Sequence, residues 1–526
     1  MRRRDFLRYS SAAAVPVLAG GFQMKAFANT QLLDLLAQAD NDRVLVVVQL
    51  NGGNDGLNMV VPLDQYSNLA AARANILLPE TKILRMTNST GLHPSMGALH
   101  GQYQDGKVRV IQNAGYYPAN QSHFRSTDIW WTAPNNVTRV IESGWIGRYL
   151  QGIYPGYPET KYDHPPALQI GAILSLGLMG ELSNPMGISV SSPEVFEYLA
   201  QGQADTSIPK TAAELELKYI RNMSVVSGDY SDVLRQAIQK GANLSSKYPP
   251  SSAKNYLAAQ LKVVARLLAG GLKTRIFIVS MGGFDTHADQ TNKDAFGTLT
   301  GTHANLMKNL SEAIAAFQDD LQLMKQDHRV AGFTFSEFGR RIRSNASYGT
   351  DHGAAAPMIV FGSGVIPGIL GSNPQIPQNT KVGDSVVADP NHDFRNIYAT
   401  VLNQWFGVTE SEIQRVMDNK PDLNKELAIF RTKDQIDNNS KGKLKLITVF
   451  PNPFTDYTTI RFISGNGKAR LSLIDTAGKT VRVLLEESIN EGQHEVTLHR
   501  NGLSDGVYYV HLKQGNEKDT LLLKTM

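Results

Sequence analysis

Residues 276–287 read IFIVSMGGFDTH, an apolar run that stops at two glycines and then presents Asp285 and His287 two positions apart. A continuous run of this kind fits a strand buried on both faces, as in a parallel sheet. Such sheets hold their ligands just beyond the carboxyl ends of the strands. The run therefore bounds both the fold class and the edge at which chemistry is expected. Similar runs recur at Val44–Leu50, Val108–Ile111, Val330–Phe335 and Met358–Phe361. Helical spacing falls between them. Over 304–324, Leu306, Leu310, Ala313, Phe317, Leu321 and Met324 mark one face, and 394–406 carries Ile397, Val401, Leu402 and Trp405. The stretch 195–260 also reads as helical. Strands alternating with helices predict an α/β domain over 29–431, with a mostly parallel central sheet flanked by helices.

The loops at the strand ends are more specific. Val44–Leu50 leads into NGGNDG (51–56), Ile276–Ser280 into GGFDTH (282–287), and Val330–Phe335 into SEFGRR (336–341). GTDHG (349–353) comes just before the Met358–Phe361 run. Four strand ends or entrances thus place a carboxylate or histidine among glycines, which permit sharp turns and close approach. Acidic and imidazole groups gathered at one sheet edge are unfavourable unless a cation sits among them. The four loops together predict a shared metal site, although Asp55 alone reads equally as a turn residue and Glu337 as an ion-pair partner of Arg340 and Arg341.

The two ends of the chain read as addresses. MRRRDFLRYSSAAAVPVLAGGFQMKAFA (1–28) has a basic segment, a short weakly apolar stretch and an A-x-A cleavage pattern, which predicts a removable signal peptide. Its Arg3-Arg4-Asp5-Phe6-Leu7 resembles a twin-arginine export signal. This segment alone carries the formal net charge of +4, so the remainder is balanced. Charge gives no reason to expect nucleic acid or an anionic membrane as partner, and no transmembrane segment is expected in the mature chain. The chain has no cysteine, which removes disulfides, thiolate metal sites and cysteine nucleophiles. TKDQIDNNSKGK (432–443) reads as part of a polar linker over 432–444. Beyond it, short alternating runs separated by turn residues predict a small β-sandwich over 445–526. FPNPF (450–454), LIDTAGK (473–479) and GVYYVHL (506–512) resemble the C-terminal sorting domain of the type IX secretion system. That resemblance implies partners in the export machinery, passage through the periplasm of a Gram-negative bacterium, and delivery to the medium or outer cell surface.

The order of the central motifs resembles the alkaline phosphatase and sulfatase superfamily. More narrowly, NGGNDGLN (51–58), SHF (122–124), GGFDTH (282–287), FSEFGRR (335–341) and GTDHG (349–353) resemble the exported family filed as domain of unknown function 1501. Carried over residue by residue, the superfamily resemblance implies an alkaline-phosphatase-like fold and one or two divalent metals. Asp285, His287 and His352 match the ligands of the first metal, Zn or Mn. Asp55 matches a ligand of the second. Glu337-Phe338-Gly339 stands where the superfamily has Asp-His-Gly, so Phe338 replaces a ligand and leaves Asp55 and Glu337 as an oxygen-rich site suited to Mg, Ca or Mn. A second register instead places Asp351-His352-Gly353 on that motif.

For the nucleophile, YYPANQSHFRSTDIWW (116–131) offers Ser122 at the start of a helix, with His123 beside it and Arg125 placed to hold an anionic oxygen. A hydroxyl at a helix N-terminus near a cation has its alkoxide favoured by both. Ser122-His123-Phe124-Arg125 lacks the proline and the arginine spacing that a sulfatase needs for formylglycine conversion. The expected activity is therefore metal-dependent hydrolysis of a phosphate or sulfate ester, on a small molecule or glycan, with Ser122 or a water as nucleophile. The alternative is a secreted binding or assembly protein that keeps the fold and a structural metal.

Overall fold

The computed structural model describes residues 42–181, 183–194, 230–293, 297–424, 426–431, 444–490, 492–515 and 517–525, with the backbone of 18–19 and 22–23. The signal peptide, apart from those four residues, residues 432–443 of the linker expected over 432–444, and residues 195–229 of the helical stretch expected over 195–260 lie outside them.

Ten strands organise the larger part: β1 Val44–Leu50, β2 Val108–Ala114, β3 Ala167–Ile170, β4 Ile188–Val190, β5 Ile276–Met281, β6 Val330–Ser336, β7 Arg340–Ser344, β8 Thr350–His352, β9 Ala356–Phe361 and β10 Gly368–Leu370. Eight of them form one sheet in the order β10-β2-β9-β6-β1-β5-β3-β4, and β7 and β8 pair as a separate antiparallel hairpin. Val44 to Val48 are all 1% exposed or less, so both faces of β1 are covered. This matches the uninterrupted apolar runs, since an exposed face would show alternation. Burying each such side chain contributes about 1.5–3 kcal/mol.

Helices Tyr256–Ala269 and Thr302–Leu323 pack together beside the sheet, and Leu306, Leu310, Ala313, Phe317 and Leu321 of the second are buried, as their spacing predicts. Asn255 caps the first of these helices by accepting from Ala258 N at 3.0 Å. The predicted helix over 394–406 divides into an α-helix, Phe394–Thr400, and a π-turn, Val401–Trp405. Trp405 donates from Nε1 to Val44 O at 3.1 Å and so fastens this element to the central strand.

Strand direction places the site. β1, β5 and β6 are parallel neighbours in register, with Leu50 opposite both Met281 and Ser336. The loops starting at Asn51, Gly282 and Glu337 therefore leave the sheet side by side. β9 pairs antiparallel with both β6 and β2. Its entrance consequently lies at the same edge as its neighbours' exits. GTDHG precedes its strand and still arrives beside loops that come after theirs.

The C-terminal residues form two antiparallel sheets. One holds Lys445–Phe450, Tyr457–Ser464 and Gly492–His499, and the other Gly467–Asp475, Thr480–Ile489, Gly506–Gln514 and Glu517–Thr525. Leu446, Phe454, Ile460, Phe462, Leu471, Leu473, Leu498, Val510, Leu512 and Leu523 form a separate buried cluster between them. The fold is thus α/β with a mostly parallel sheet, followed by an all-β region. Among the described residues no helix is long and apolar enough to cross a membrane.

Candidate functional site

The loops after β1 and β5 touch. Gly52 has φ +122°, and a Cβ there would stand 2.2 Å from Asp285 N. Gly53, at φ +80°, passes so close to Phe338 that a Cβ would lie 2.3 Å from the ring. Only glycine allows both the conformation and the approach. This contact is what brings NGGNDG, GGFDTH and SEFGRR into one cluster.

Asp285 Oδ1 is the centre of the cluster. His123 Nε2 and His352 Nε2 each lie 3.6 Å from it, and His287 Nε2 lies at 3.3 Å. His287 Nε2 and His352 Nε2 are 2.8 Å apart. Ligand atoms of His123, Asp285 and His352 all lie within 4.8 Å of one another, which makes them a candidate metal-binding group among the described residues.

The other ring nitrogens fix the tautomers. His352 Nδ1 is 2.8 Å from Gln121 O, a carbonyl that can only accept, so Nδ1 carries the hydrogen and Nε2 a lone pair. His123 Nδ1 donates to Glu337 Oε1 at 2.9 Å. His287 Nδ1 faces Asp351 Oδ1 at 3.4 Å. Each imidazole therefore has an acceptor behind it and turns Nε2 toward the carboxylate. Arg340 already supplies one positive charge at Asp285 Oδ1, and a cation among the three Nε2 lone pairs would supply a second. The separations of 3.3–3.6 Å between the three Nε2 atoms and Asp285 Oδ1 lie close to the roughly 3.3 Å expected between ligands of a tetrahedral ion with bonds near 2.0–2.1 Å, and the 2.8 Å between His287 and His352 is shorter. The residues thus fit a divalent metal, and the acceptors behind them are those that orient metal-ligating histidines.

The supports are buried. Arg340 is 1% exposed and donates to Asp285 Oδ1 at 2.7 Å, to Gly53 O at 2.6 Å, to Thr350 O at 2.9 Å and also to Gly52 O. Its partner is Asp285, not the adjacent Glu337. Burial pushes the Asp285 carboxyl up, but the Arg340 hydrogen bond and charge outweigh it and hold it below the ordinary range. Burial, with Arg340 and the neighbouring imidazoles, holds the His352 pKa down against the opposing Gln121 carbonyl, which favours the neutral ring. A hydrogen bond from Asn345 holds the Asp351 carboxyl low. Glu337 is 3% exposed and also accepts from Gly52 N at 2.8 Å. Its carbonyl accepts from Trp130 Nε1 at 2.8 Å and from Ser126 Oγ. These bonds fasten helix His123–Thr132, and with it His123, to the strand-end loop. Phe338 packs on His123 and His352 with ring centroids 4.9 and 4.4 Å away.

Several expectations change. Arg125 does not face the cluster's carboxylate; its guanidinium donates to Val137 O at 2.7 Å and to Arg139 O at 2.5 Å. Asp55 is held elsewhere, with both oxygens 2.9 Å from Arg73 Nη1 and Oδ2 accepting from Gln290 Nε2 at 2.6 Å. Burial would raise its pKa, but Arg73 overrides that and keeps it low. Glu337 stands behind His123 and takes different partners from Asp55. Ser122 is exposed and makes no capping bond to its helix. It lies between Gln121 and His123, both tied to the cluster. His123 joins the cluster as a ring nitrogen beside Asp285, a placement that only its adjacency to Ser122 hinted at. Asp351 and Arg340 were legible only as neighbours of His352 and Glu337.

No curated protein matches the chain. Among solved structures, the PsFucS1 sulfatase from Pseudoalteromonas sp. is 10% identical, with 90% of this chain and 88% of that one covered and a TM-score of 0.34. A protein in the alkaline phosphatase superfamily from Vibrio parahaemolyticus is 11% identical, with 88% of each chain covered and a TM-score of 0.32. Domains 4 and 5 of the S-layer protein SbsC are 16% identical over 16% of this chain, with a TM-score of 0.13, and the match spans about half (53%) of that structure. At these TM-scores the likenesses carry no weight, and the fold rests on the strand order above. Two family models match. That of a secretion system C-terminal sorting domain covers 448–523. The other covers residues 42–423, well over half of the chain, and the protein therefore belongs to the family described as "Protein of unknown function (DUF1501)".

Proposed function

We propose that the protein is a secreted, metal-dependent hydrolase of phosphate or sulfate esters carried on a small molecule or a glycan. The observation that carries this reading is the set of three imidazoles, each with an acceptor at Nδ1 and with Nε2 turned to Asp285 Oδ1. His123, Asp285, His287 and His352 would hold the ion; mixed nitrogen and oxygen ligands suit Zn or Mn. Such an ion would supply Lewis-acid polarisation of the ester and favour the attacking oxygen.

The chain's own residues do the rest. Arg340 fixes the Asp285 carboxylate and Glu337 fixes the His123 ring, so neither has to reorganise as charge develops. Ser122 Oγ is the side-chain nucleophile this segment offers. In that case the ester oxygen leaves with a proton, and water later releases the acid from Ser122. If water attacks directly, Ser122 is dispensable. The N-terminal arginine pair would direct export to the periplasm, and residues 445–526 would form a separate sorting domain directing passage across the outer membrane. The test is hydrolysis of aryl phosphates and aryl sulfates by the mature chain, with and without chelator.

One observation favours a second reading, a binding or assembly protein with a structural metal. Arg125 and Arg340 are both engaged by backbone carbonyls, so neither guanidinium is disengaged to hold an anionic substrate. A metal-loaded protein inert toward every ester would select that reading.

A further inference from the structure

We infer that the chain retains one tight divalent cation, not two, and that Arg73 takes the place of the second by neutralising Asp55. This rests on the metal reading of His123, Asp285, His287 and His352 above.

The second site implied by the motifs needs Asp55 and Glu337 as ligands. Asp55 is 1% exposed and Arg73 fully buried. Arg73 cannot swing aside, because Nε donates to Ile342 O and Nη2 to Arg341 O, each at 2.7 Å. Gln290 is equally fixed: its Oε1 lies 3.0 Å from both Thr286 Oγ1 and Thr350 Oγ1, which donate to it, so its Nε2 must face Asp55. The carboxylate thus has a full cation and a neutral donor already, in a place where water screens little. A divalent ion on the same oxygens would meet the guanidinium across a buried carboxylate, an unscreened repulsion.

Glu337 has an amide, an imidazole and a hydroxyl as partners in place of a guanidinium. Oε1 accepts from Gly52 N and His123 Nδ1, and Oε2 lies 3.2 Å from Ser336 Oγ. Phe338, where a ligand would be needed, is 2% exposed and lies against two imidazoles of the first site. The residues do not fit a second ion. Asp55 instead ties three segments together: the strand-end loop, helix Tyr66–Arg73 with the β7–β8 hairpin it grips, and the GGFDTH loop through Gln290 and Thr286.

The test is the total number of Zn, Mn, Mg and Ca equivalents that the full mature chain, offered all four metals, keeps through gel filtration, measured by mass spectrometry of the metal. One equivalent is expected in the wild type and none in Asp285→Asn. The double variant Asp55→Asn, Arg73→Met removes the pair together and should also keep one, with a dissociation constant within about threefold of wild type. Two equivalents in the wild type, falling to one in the double variant, would overturn the inference and leave the proposed hydrolase standing. No tight metal in the wild type would overturn the metal centre itself. The wild-type count decides the matter even if the double variant fails to fold.

Discussion

Glu337 Oε1 accepts from His123 Nδ1 at 2.9 Å, and this bond turns the opposite ring nitrogen toward Asp285. Removing the acceptor should therefore weaken metal binding without touching a ligand. Glu337→Gln keeps an acceptor oxygen and should lower affinity by about 10-fold; Glu337→Ala should lower it by up to about 100-fold. Competition with a chromophoric chelator measures both. Equal affinity in Glu337→Ala and wild type would show that the bond does not position His123.

Ser122 and Asp285 separate the chemical possibilities. Asp285→Asn removes the only carboxylate among the proposed ligands and should abolish both metal retention and turnover. Ser122→Ala should leave metal content unchanged. A loss of about 10³-fold or more in kcat in Ser122→Ala would assign the nucleophile to Ser122. Retained activity would assign it to water.

Much of this site was legible because glycine, Asp and His recur at strand ends, and strand ends are marked by where apolar runs stop. GGFDTH offered Asp285 and His287 as candidates, and GTDHG offered His352, although the latter precedes its strand. The antiparallel course of β9 resolves that difference. What the sequence could not show is how each charge is neutralised. Asp55 and Asp285 look alike in NGGNDG and GGFDTH. One is sealed by Arg73, 18 residues away; the other is half exposed, beside Arg340 and three imidazoles. Arg125 read as an anion holder because helix spacing says which residues share a face, not which carbonyls a long side chain will reach. The π-turn at Val401–Trp405 was also hidden, since a helical periodicity does not distinguish a local widening of the turn.

Acid should destabilise the larger α/β part through two buried histidines. Burial holds His303 at about 4 and His93 at about 3, against an ordinary value of 6.5. Between those values and 6.5 the unfolded chain binds protons that the folded chain does not. Stability therefore falls as pH drops from about 6.5, and the His303 share is fully lost by about pH 4. That share is about 3 kcal/mol. Denaturant unfolding at a series of pH values measures the slope, and His303→Gln should reduce it. An unchanged slope in that variant would remove His303 from the account.

The C-terminal region has its own buried cluster, so residues 445–526 should fold alone and unfold cooperatively. A chain lacking them should keep the metal centre but accumulate in the periplasm. Normal surface delivery of the truncated chain would contradict the sorting role.

The central claim is that the His123–Asp285–His287–His352 cluster holds a metal that hydrolyses an ester. The most direct measurement is turnover by the purified, metal-loaded mature chain across aryl phosphate monoesters, phosphate diesters and sulfate esters. The account predicts cleavage of at least one class, stopped by chelator, restored by Zn or Mn, and absent in Asp285→Asn. A fully loaded wild type that cleaves none of them would contradict it.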